Sequence, residues 1–382
     1  MVKLIAAAAA ALLLAGPAVP AQADPARSCP AARAGSAGCL LTARPAAEAK
    51  AAGLPQPFSA ADLQQAYRLP SARLGGGQTI AVIVPYHNPN AGNDLAVYRK
   101  ANGLPPCEGE FDCFRQVNQR GGDEPPGTNP DWSLNSSAAL DIAAAACPNC
   151  RLLLVEADDA GAENLGLAVD QAVRQGATVV TTPYGLPEYA GELAHAAHYA
   201  HPGVPVTAPS GDSGFPARTG RQLVPAAYGT VTAVGGTTLY RQAGARGWGE
   251  TAWSGSGSGC SVYVTRPAWQ PKGACGAKRT VADTAAVADL RTPVAVYDSY
   301  SYGGWVAVGG TPIAAALVAG VYALAGNGDL ITPGRQLQAG KGHLFDITAG
   351  RTGACAAPEL CNARPGYDGP TGYGSPDGIG AF

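Results

Sequence analysis

Charge of either sign is scarce in this chain of 382 residues. Lys and Arg together number 26 and Asp and Glu 28, so charged side chains make up 14% of the sequence and the formal net charge at pH 7 is −2. Because a nucleic-acid partner requires a strongly basic surface, this balance argues against one. The five tryptophans are scattered, in no arrangement that would stack bases. We expect no nucleic acid among the partners of this protein.

Long apolar runs are also missing. Leu4–Leu14 is an unbroken apolar segment, but it falls short of the ~18–20 residues that a membrane-spanning helix needs. The longest later stretch, Ile313–Ala325, is short and is interrupted by a glycine, which favours a buried helix. We therefore expect no transmembrane span.

The N-terminus instead has the three parts of a secretory signal peptide. Lys3 supplies the positive charge, Leu4–Leu14 the apolar region, and Ala21-Gln22-Ala23 the small-x-small pattern that signal peptidase reads. This order predicts a signal peptide over Met1–Ala23 and a secreted, extracellular protein that begins near Asp24.

Ten cysteines follow the predicted cleavage point. An even number in an exported chain indicates a disulfide framework, because the compartment is oxidising. Proximity along the chain suggests four pairs, although sequence alone does not establish connectivity: Cys29–Cys39, Cys107–Cys113, Cys260–Cys275 and Cys355–Cys361. The remaining Cys147-Pro148-Asn149-Cys150 is either a redox pair for thiol–disulfide exchange or a small structural disulfide at the end of a helix. We favour the structural disulfide.

Short β-branched runs alternate with helical stretches from Ser59 onward, after an Ala- and Pro-rich N-terminal arm over residues 24–58. The predicted strands are Thr79–Val84, Leu152–Glu156, Thr178–Thr182, Val204–Ala208 and Val231–Val234. The predicted helices are Ala91–Asn102, Ser136–Ala146, Ala162–Arg174 and Ile313–Leu324. Such alternation predicts one α/β domain over residues 59–382, with a mostly parallel sheet and helices on both faces.

Three segments carry candidate chemistry, because ligands of parallel sheets gather at the carboxyl ends of the strands. They are Ala208–Gly214, which follows a strand, Val308–Pro312, which opens the apolar helix, and Phe345–Thr348 with Gly366–Gly372 behind it. Together they resemble the sedolisin family of serine-carboxyl peptidases from about Ala60 to Phe382. Further segments that resemble the family, in the same order, are Leu63–Leu69, Trp132, Leu140-Asp141, Cys147–Cys150, Glu250–Trp253 and Gly374–Pro376.

The resemblance implies a subtilisin-like, three-layer α/β fold and a mechanism. In the family a serine attacks the peptide carbonyl and a glutamate takes its proton. An aspartate one helical turn after the glutamate orients it, and a second, separate aspartate helps to hold the oxyanion. This is the arrangement of nucleophile, base and orienter with a carboxylate in place of histidine, and the spacing of four residues places both acids on one helix face.

This sequence departs from the family at each position of that triad. Counting back from Cys147-Pro148 places Asn135 and Ala139 where the glutamate and aspartate are expected. A shifted register that uses Asp141 as the acid has Ser137 four residues earlier, so it also lacks a glutamate. The nucleophile position is Pro312, which has neither a hydroxyl nor the N–H that normally serves the oxyanion hole.

Structural interpretations account for the same residues. Thr311 and Pro312 are a suitable N-cap and first residue for the following helix, and Asn135 can cap its own helix. Ala139 is a strong helix former. Asp212 matches the oxyanion position, but an aspartate in such a turn also bonds nearby amides.

These substitutions predict a catalytically inactive homologue whose cleft retains binding of a peptide or protein. The alternative is an active serine-type endopeptidase that works at acid pH through a nucleophile not identified in the sequence.

The C-terminal segments resemble the calcium site of the family. Carried over to this chain, Asp346 and Asp368 supply side-chain oxygens and Ile347, Arg364 and Gly366 supply backbone carbonyls. A set of oxygen ligands with two carboxylates suits Ca²⁺, so we expect structural calcium. The alternative is a pair of ordinary loop aspartates.

Three histidines, His195, His198 and His201, repeat at intervals of three residues. In an α-helix each step of three residues rotates the ring by about 60° away from the previous one. We therefore expect surface or packing histidines here rather than a metal site.

Overall fold

The computed structural model describes residues 26–27, 31–216, 220–328, 332 and 334–382. The predicted signal peptide, Met1–Ala23, and Cys29 lie outside these residues. Within the described ranges, the helices are all too short or too polar to cross a membrane.

Eight of the strands in the described residues form the central sheet. The strands of the described residues are β1 Ala26–Arg27, β2 Thr42–Pro45, β3 Thr79–Pro85, β4 Phe114–Asn118, β5 Arg151–Ala157, β6 Val179–Thr181, β7 Leu186–Pro187, β8 Val206–Pro209, β9 Leu223–Val224, β10 Val231–Arg241, β11 Trp248–Ala252, β12 Gly259–Thr265, β13 Lys278–Val281, β14 Thr284–Val287, β15 Val294–Asp298, β16 Gly304–Gly309, β17 Leu344–Phe345 and β18 Ser375–Pro376. The central order is β11-β10-β8-β6-β3-β5-β4, with β14 also paired to β10. Among these described strands, β10–β11 is the single antiparallel pairing of the sheet, which confirms the predicted mostly parallel sheet.

Seven α-helices connect and cover the strands in the described part of the chain. They are α1 Ala46–Ala51, α2 Ala60–Ala66, α3 Ala91–Ala101, α4 Pro130–Ala146, α5 Ala162–Arg174, α6 Thr311–Ala325 and α7 Arg335–Ala339. The described residues also form three 3₁₀ helices, which are Glu192–Tyr199, Lys341–His343 and Pro358–Leu360.

The central strand β3 shows how the sheet separates two apolar layers. Its side chains alternate, so that Ile80 and Val82 join the cluster that includes α4 and α6, whereas Ala81 and Ile83 join the cluster that includes α5. Alternation with a period of two is what a strand covered on both faces requires. The molecule therefore has three layers, with α4 and α6 together on one face of the sheet.

Helix α4 begins six residues earlier than predicted. The Asn129 side chain accepts a hydrogen bond from the Asp131 amide at 3.0 Å, and Pro130 follows as the first helical residue. This capping pattern starts the helix. The Ser and Asn residues that follow it interrupt the apolar pattern, so that pattern did not predict the true start. The expectation that Asn135 caps this helix is therefore wrong, because Asn135 lies inside it.

Close packing of α4 on α6 depends on small side chains. Both helices are buried along almost their whole length, and the alanines of α4 leave room for a neighbouring backbone. At Gly320 of α6 a Cβ would lie 2.4 Å from the Cβ of Ala146. The two helices that carry the predicted triad positions are thus held against each other.

The N-terminal arm contributes to the fold. Strand β2 pairs antiparallel with β16, with Thr42 opposite Gly309 and Ala43 opposite Val308. Leu41 and Ala43 belong to the larger apolar core, and each is 1% exposed. The arm is therefore packed into the domain next to the strand that leads to Pro312.

Four disulfides are present among the described cysteines, and they confirm four of the expected pairs. They are Cys107–Cys113, Cys147–Cys150, Cys260–Cys275 and Cys355–Cys361. Cys39 is also disulfide-bonded, while its predicted partner lies outside the described residues.

Candidate functional site

Asp212 and Thr311 form the centre of the candidate cleft. The Oδ1 atom of Asp212 accepts the Thr311 amide at 2.8 Å and the Thr311 hydroxyl at 2.7 Å. The same hydroxyl accepts the Gly211 amide at 3.2 Å. One carboxylate oxygen thus accepts hydrogen bonds from both the amide and the hydroxyl of Thr311, and Thr311 is fully buried.

The N-terminus of α6 is capped by Asp212. The N-cap position is Gly310, one residue before the predicted Thr311, and no side chain of its own caps the helix. Asp212 supplies the acceptor from 99 residues away. A carboxylate there also interacts favourably with the helix dipole. The predicted Thr311 cap is therefore wrong, because a distant carboxylate makes the bond that a local side chain was expected to make.

Pro312 occupies the second position of α6 and is buried. Proline is tolerated in the first turn of a helix because amides there have no acceptor within the helix. The structure thus places Pro312 in the first turn of α6, one position later than predicted.

Asn135 and Ala139 lie on α4 and are both buried. The Asn135 amide donates to the Pro183 carbonyl at 2.8 Å, in the segment that follows β6. Ala139 packs in the core cluster that also contains α6. The structure brings Asp212 and Thr311 into direct contact. It places Asn135 beside the loop that contains Pro183.

Asp141, the acid of the shifted register, lies on a different side of α4. Its Oδ2 atom accepts the Tyr297 amide of β15 at 2.8 Å. Burial raises its pKa well above the usual range, and the nearby charges of Asp94 and Asp298 add to this effect. Its contacts are therefore with β15 and α3 rather than with the loop that carries Asp212.

The observed start of α4 reveals a pair of positions that the sequence reasoning missed. Asp131 lies in the first turn, four residues before Asn135. This third register has a carboxylate at its first position, but the Asp131 residue is exposed. The cap at Asn129 followed by Pro130 was the signal that could have extended the predicted helix to include it.

The N-terminal arm crosses the candidate cleft as an extended chain. Gly38 and Gly185 form an antiparallel bridge, in which the Gly38 amide donates to Gly185 at 3.0 Å and the Gly185 amide donates back at 3.2 Å. At Gly310 a Cβ would lie 2.5 Å from the Leu40 carbonyl oxygen and 2.6 Å from Oδ2 of Asp212. The arm therefore occupies the space between the Gly185 loop and the start of α6.

The predicted calcium ligands lie in two loops near the C-terminus, and a hydrogen bond from the Gly366 amide to Asp346 joins these loops. The Asp346 carboxylate accepts the Gly366 amide at 2.8 Å, and Asp368 accepts the amides of Arg364 and Thr371 at 2.9 Å each. Burial raises the pKa of Asp368 to about 7, and the negative charge of Asp346 contributes. The two carboxylates are thus close enough to repel each other.

The donor chemistry of these loops fits Ca²⁺. Among the described residues, no amide or side chain donates a hydrogen bond to the carbonyls of Ile347, Arg364 or Gly366. Three carbonyl oxygens and two carboxylates give the oxygen-only set that calcium prefers. A cation would also relieve the repulsion between Asp346 and Asp368.

The histidines His195 and His198 lie in a 3₁₀ helix rather than an α-helix. Side chains three residues apart eclipse one another in a 3₁₀ helix. The premise that their rings spread around the helix is therefore wrong: the rings stack at a centroid distance of 6.5 Å and an interplanar angle of 22°.

The Cys147–Cys150 disulfide closes the C-terminal end of α4, where Cys147 is the C-cap residue. Both cysteines are fully buried, and the Cα of Gly75 covers them so closely that a Cβ there would lie 2.2 Å from the Cys147 sulfur. Thiol–disulfide exchange requires an accessible sulfur, so this geometry matches the favoured structural disulfide.

No protein-family model matches the sequence, but two relatives align with most of it. Kumamolisin from Bacillus sp. (strain MN-32) is 31% identical over 365 residues, which cover 85% of this chain and 63% of kumamolisin. Sedolisin from Pseudomonas sp. (strain 101) is 27% identical over 374 residues, which cover 87% of this chain and 62% of sedolisin. The chain therefore spans less than two thirds of the length of either relative.

Comparison with solved structures agrees. Pseudomonas sedolisin, a serine-carboxyl proteinase complexed with two molecules of pseudo-iodotyrostatin, matches with a TM-score of 0.72 and 23% identity over 84% of this chain and 96% of that chain. A lanthipeptide protease matches with a TM-score of 0.54 and 15% identity over 84% and 92% of the two chains. These matches confirm the predicted subtilisin-like α/β fold. The alignments over most of this chain and the shared fold show that it is a homologue of kumamolisin and sedolisin.

Proposed function

We propose that this protein is a secreted sedolisin-family homologue that does not cleave peptides and that keeps the family scaffold for binding. The observation that carries the proposal is the occupation of the nucleophile position by Pro312, next to a Thr311 whose amide and hydroxyl are both bonded to Asp212.

The nucleophile is the first missing element. Pro312 has no hydroxyl to attack a carbonyl and no N–H to donate to an oxyanion. Thr311 is the neighbouring hydroxyl, but it is 0% exposed and its hydrogen is directed to Asp212. A substrate carbonyl cannot approach an oxygen that is enclosed in this way.

The base is the second missing element. Asn135 is an amide, which does not take up a proton in this pH range, and its NH₂ group is bonded to Pro183. The side chain of Ala139 has no polar atom. Loss of the nucleophile or the base from a serine-peptidase triad lowers turnover by about 10⁶-fold, so the combined loss supports an inactive protein.

Binding in the cleft is supported by the pairing of Gly38 with Gly185. Reciprocal backbone hydrogen bonds are the means by which an extended peptide is held against an exposed chain segment. In this protein the arm makes these bonds itself. A peptide or protein partner that makes the same bonds must therefore replace Gly38 as the partner of Gly185.

Calcium at Asp346 and Asp368 completes the proposal as a structural ion. Ile347, Arg364 and Gly366 would supply carbonyl oxygens, and the ion would offset the charge of two neighbouring carboxylates. Export is supported by the signal-peptide pattern and by the four disulfides.

The direct test is a peptidase assay at acid pH on a denatured protein substrate. Purified wild-type protein and the Pro312→Ala variant are both expected to leave the substrate intact, at the level of the buffer blank. Cleavage by wild type that Pro312→Ala does not change would overturn the proposal and support the rival, an active endopeptidase with another nucleophile. In that event Thr311→Ala with Thr311→Ser as its control would show whether Thr311 attacks.

Restoration variants distinguish the registers of α4. Pro312→Ser is combined with Asn135→Glu and Ala139→Asp in one protein, and with Asp131→Glu and Asn135→Asp in another. Cleavage gained by one of the two, and absent from Pro312→Ser alone, would identify which positions once held the acids.

A further inference from the structure

The 3₁₀ helix Glu192–Tyr199 and helix α5 face each other through histidines and carboxylates that the proposed function does not use. His195 and His198 project from the 3₁₀ helix in one row, since positions i and i+3 eclipse. Glu163 and Asp170 lie on α5 opposite them. Imidazoles and a carboxylate thus meet across the interface of two elements.

One ligand atom each from Glu163, His195 and His198 lies within 4.8 Å of the other two. The Nδ1 atom of His195 is 3.2 Å from Oε2 of Glu163. Two ligands of a tetrahedral zinc ion, at bond lengths of 2.0–2.1 Å, are about 3.3 Å apart. The pair therefore already has the separation that a shared zinc ion imposes.

The buried Nδ1 nitrogen of His195 is available as a ligand atom. Its Nδ1 atom is shielded from solvent and makes no hydrogen bond among the described residues, despite its closeness to Glu163. A buried polar atom normally has a hydrogen-bond partner. Coordination of a metal would satisfy this nitrogen and the Glu163 carboxylate together.

Asp170 holds His198 in the orientation that a metal ligand needs. The Asp170 carboxylate is 2.7 Å from Nδ1 of His198, which leaves Nε2 of that ring for a metal. A carboxylate behind a ligating histidine is the usual arrangement in zinc sites. Gly166 makes room for the ring, because a Cβ there would lie 2.5 Å from Cδ2 of His198.

We propose that Glu163, His195 and His198 form a zinc site that links α5 to the 3₁₀ helix, with Asp170 as a positioning residue. Two imidazole nitrogens and one carboxylate oxygen select Zn²⁺ over Ca²⁺ and Mg²⁺, which take oxygen ligands. Three protein ligands leave the fourth position of the tetrahedron to solvent. This site is separate from the loops of Asp346 and Asp368.

The test is zinc titration of the full purified chain, produced without a histidine tag, treated with chelator and kept in excess Ca²⁺. Isothermal titration calorimetry is expected to show one zinc ion per chain. The His195→Ala/His198→Ala double variant is expected to lose this binding, and Asp170→Asn to weaken it by about 10- to 100-fold. Co²⁺ in place of Zn²⁺ is expected to give the visible absorption of a tetrahedral ion in wild type only.

The control is His343→Ala, which removes an exposed histidine far along the chain and is expected to bind zinc as wild type does. Glu163→Gln covers the case in which the double variant fails to fold, because the Glu163 side chain is 65% exposed. The proposal is overturned if wild type takes up no zinc, or if folded Glu163→Gln binds zinc with unchanged affinity.

Discussion

Glu192 is a fully buried carboxyl group in the 3₁₀ helix. Its Oε2 atom accepts the Tyr189 amide at 2.9 Å, while Oε1 makes no hydrogen bond among the described residues. Burial, together with the charge of Glu188, raises the pKa of Glu192 from 4.5 to about 7.

The Glu192 carboxyl is therefore protonated in the folded protein at pH values where it is ionised in the unfolded chain. We expect the folded state to lose stability when this carboxyl ionises. Its contribution is fully present below about pH 4.5 and is lost as the pH rises through about 7.

Glu192→Gln is expected to abolish this part of the pH dependence, because glutamine resembles the protonated acid at every pH. The free energies of unfolding of variant and wild type should agree near pH 4, and the variant should be more stable at pH 8 by up to about 3 kcal/mol. Denaturant unfolding across this range, in chelator, measures the difference. Glu48→Gln, at an exposed position, should show none; equal pH profiles for all three proteins would contradict the assignment.

At the scale of elements, the N-terminal arm is a structural part of the domain. Leu41 is 1% exposed in the main core, and its neighbour β2 pairs with β16. Leu41→Ala is expected to lower the free energy of unfolding by about 2–5 kcal/mol, as other large-to-small core substitutions do. Lys50→Ala, at an exposed position of the same segment, should change it by less than about 0.5 kcal/mol. Chemical denaturation that gives equal values for both would mean that the arm does not pack as described.

Element predictions succeeded where apolar patterns were regular and failed where polar residues are buried. Helix α5 has the predicted bounds, Ala162–Arg174, because its apolar face repeats with the helical period. The start of α4 was missed because Ser133 is a buried polar residue, bonded to Asp298 at 2.7 Å on a strand 165 residues away. When the hydrogen-bond partner of a buried polar side chain lies far away in the sequence, the neighbouring residues alone predict a loop at that position.

At the scale of the whole molecule, calcium is expected to stabilise the fold. Binding to the folded state alone raises stability by about 2.7 kcal/mol when the free ion is at 100 times its Kd. Wild type should therefore melt at a higher temperature in Ca²⁺ than in EGTA, and Asp346→Asn or Asp368→Asn should remove this difference. Asp123→Asn, on the exposed surface, serves as the control and should keep it. A melting temperature of wild type that Ca²⁺ does not change would contradict the site.

The sequence predicted which residue types occupy the candidate site better than it predicted which residues contact one another there. Pro312 cannot act as a serine in any fold, so the sequence alone determined that the usual nucleophile is absent. Disulfides between neighbouring cysteines were also predictable, because a short loop holds the two sulfurs within reach.

Contacts between distant segments were decided only by the tertiary structure. The bonds from Asp212 to Thr311 join residues 99 positions apart, and the bridge of Gly38 to Gly185 joins the arm to a loop after β6. The row formed by His195 and His198 depends on a 3₁₀ geometry that arises where this segment packs on α5. Residue types and local periodicity are properties of the sequence, whereas the partner of a buried polar group depends on which elements the packed sheet brings together.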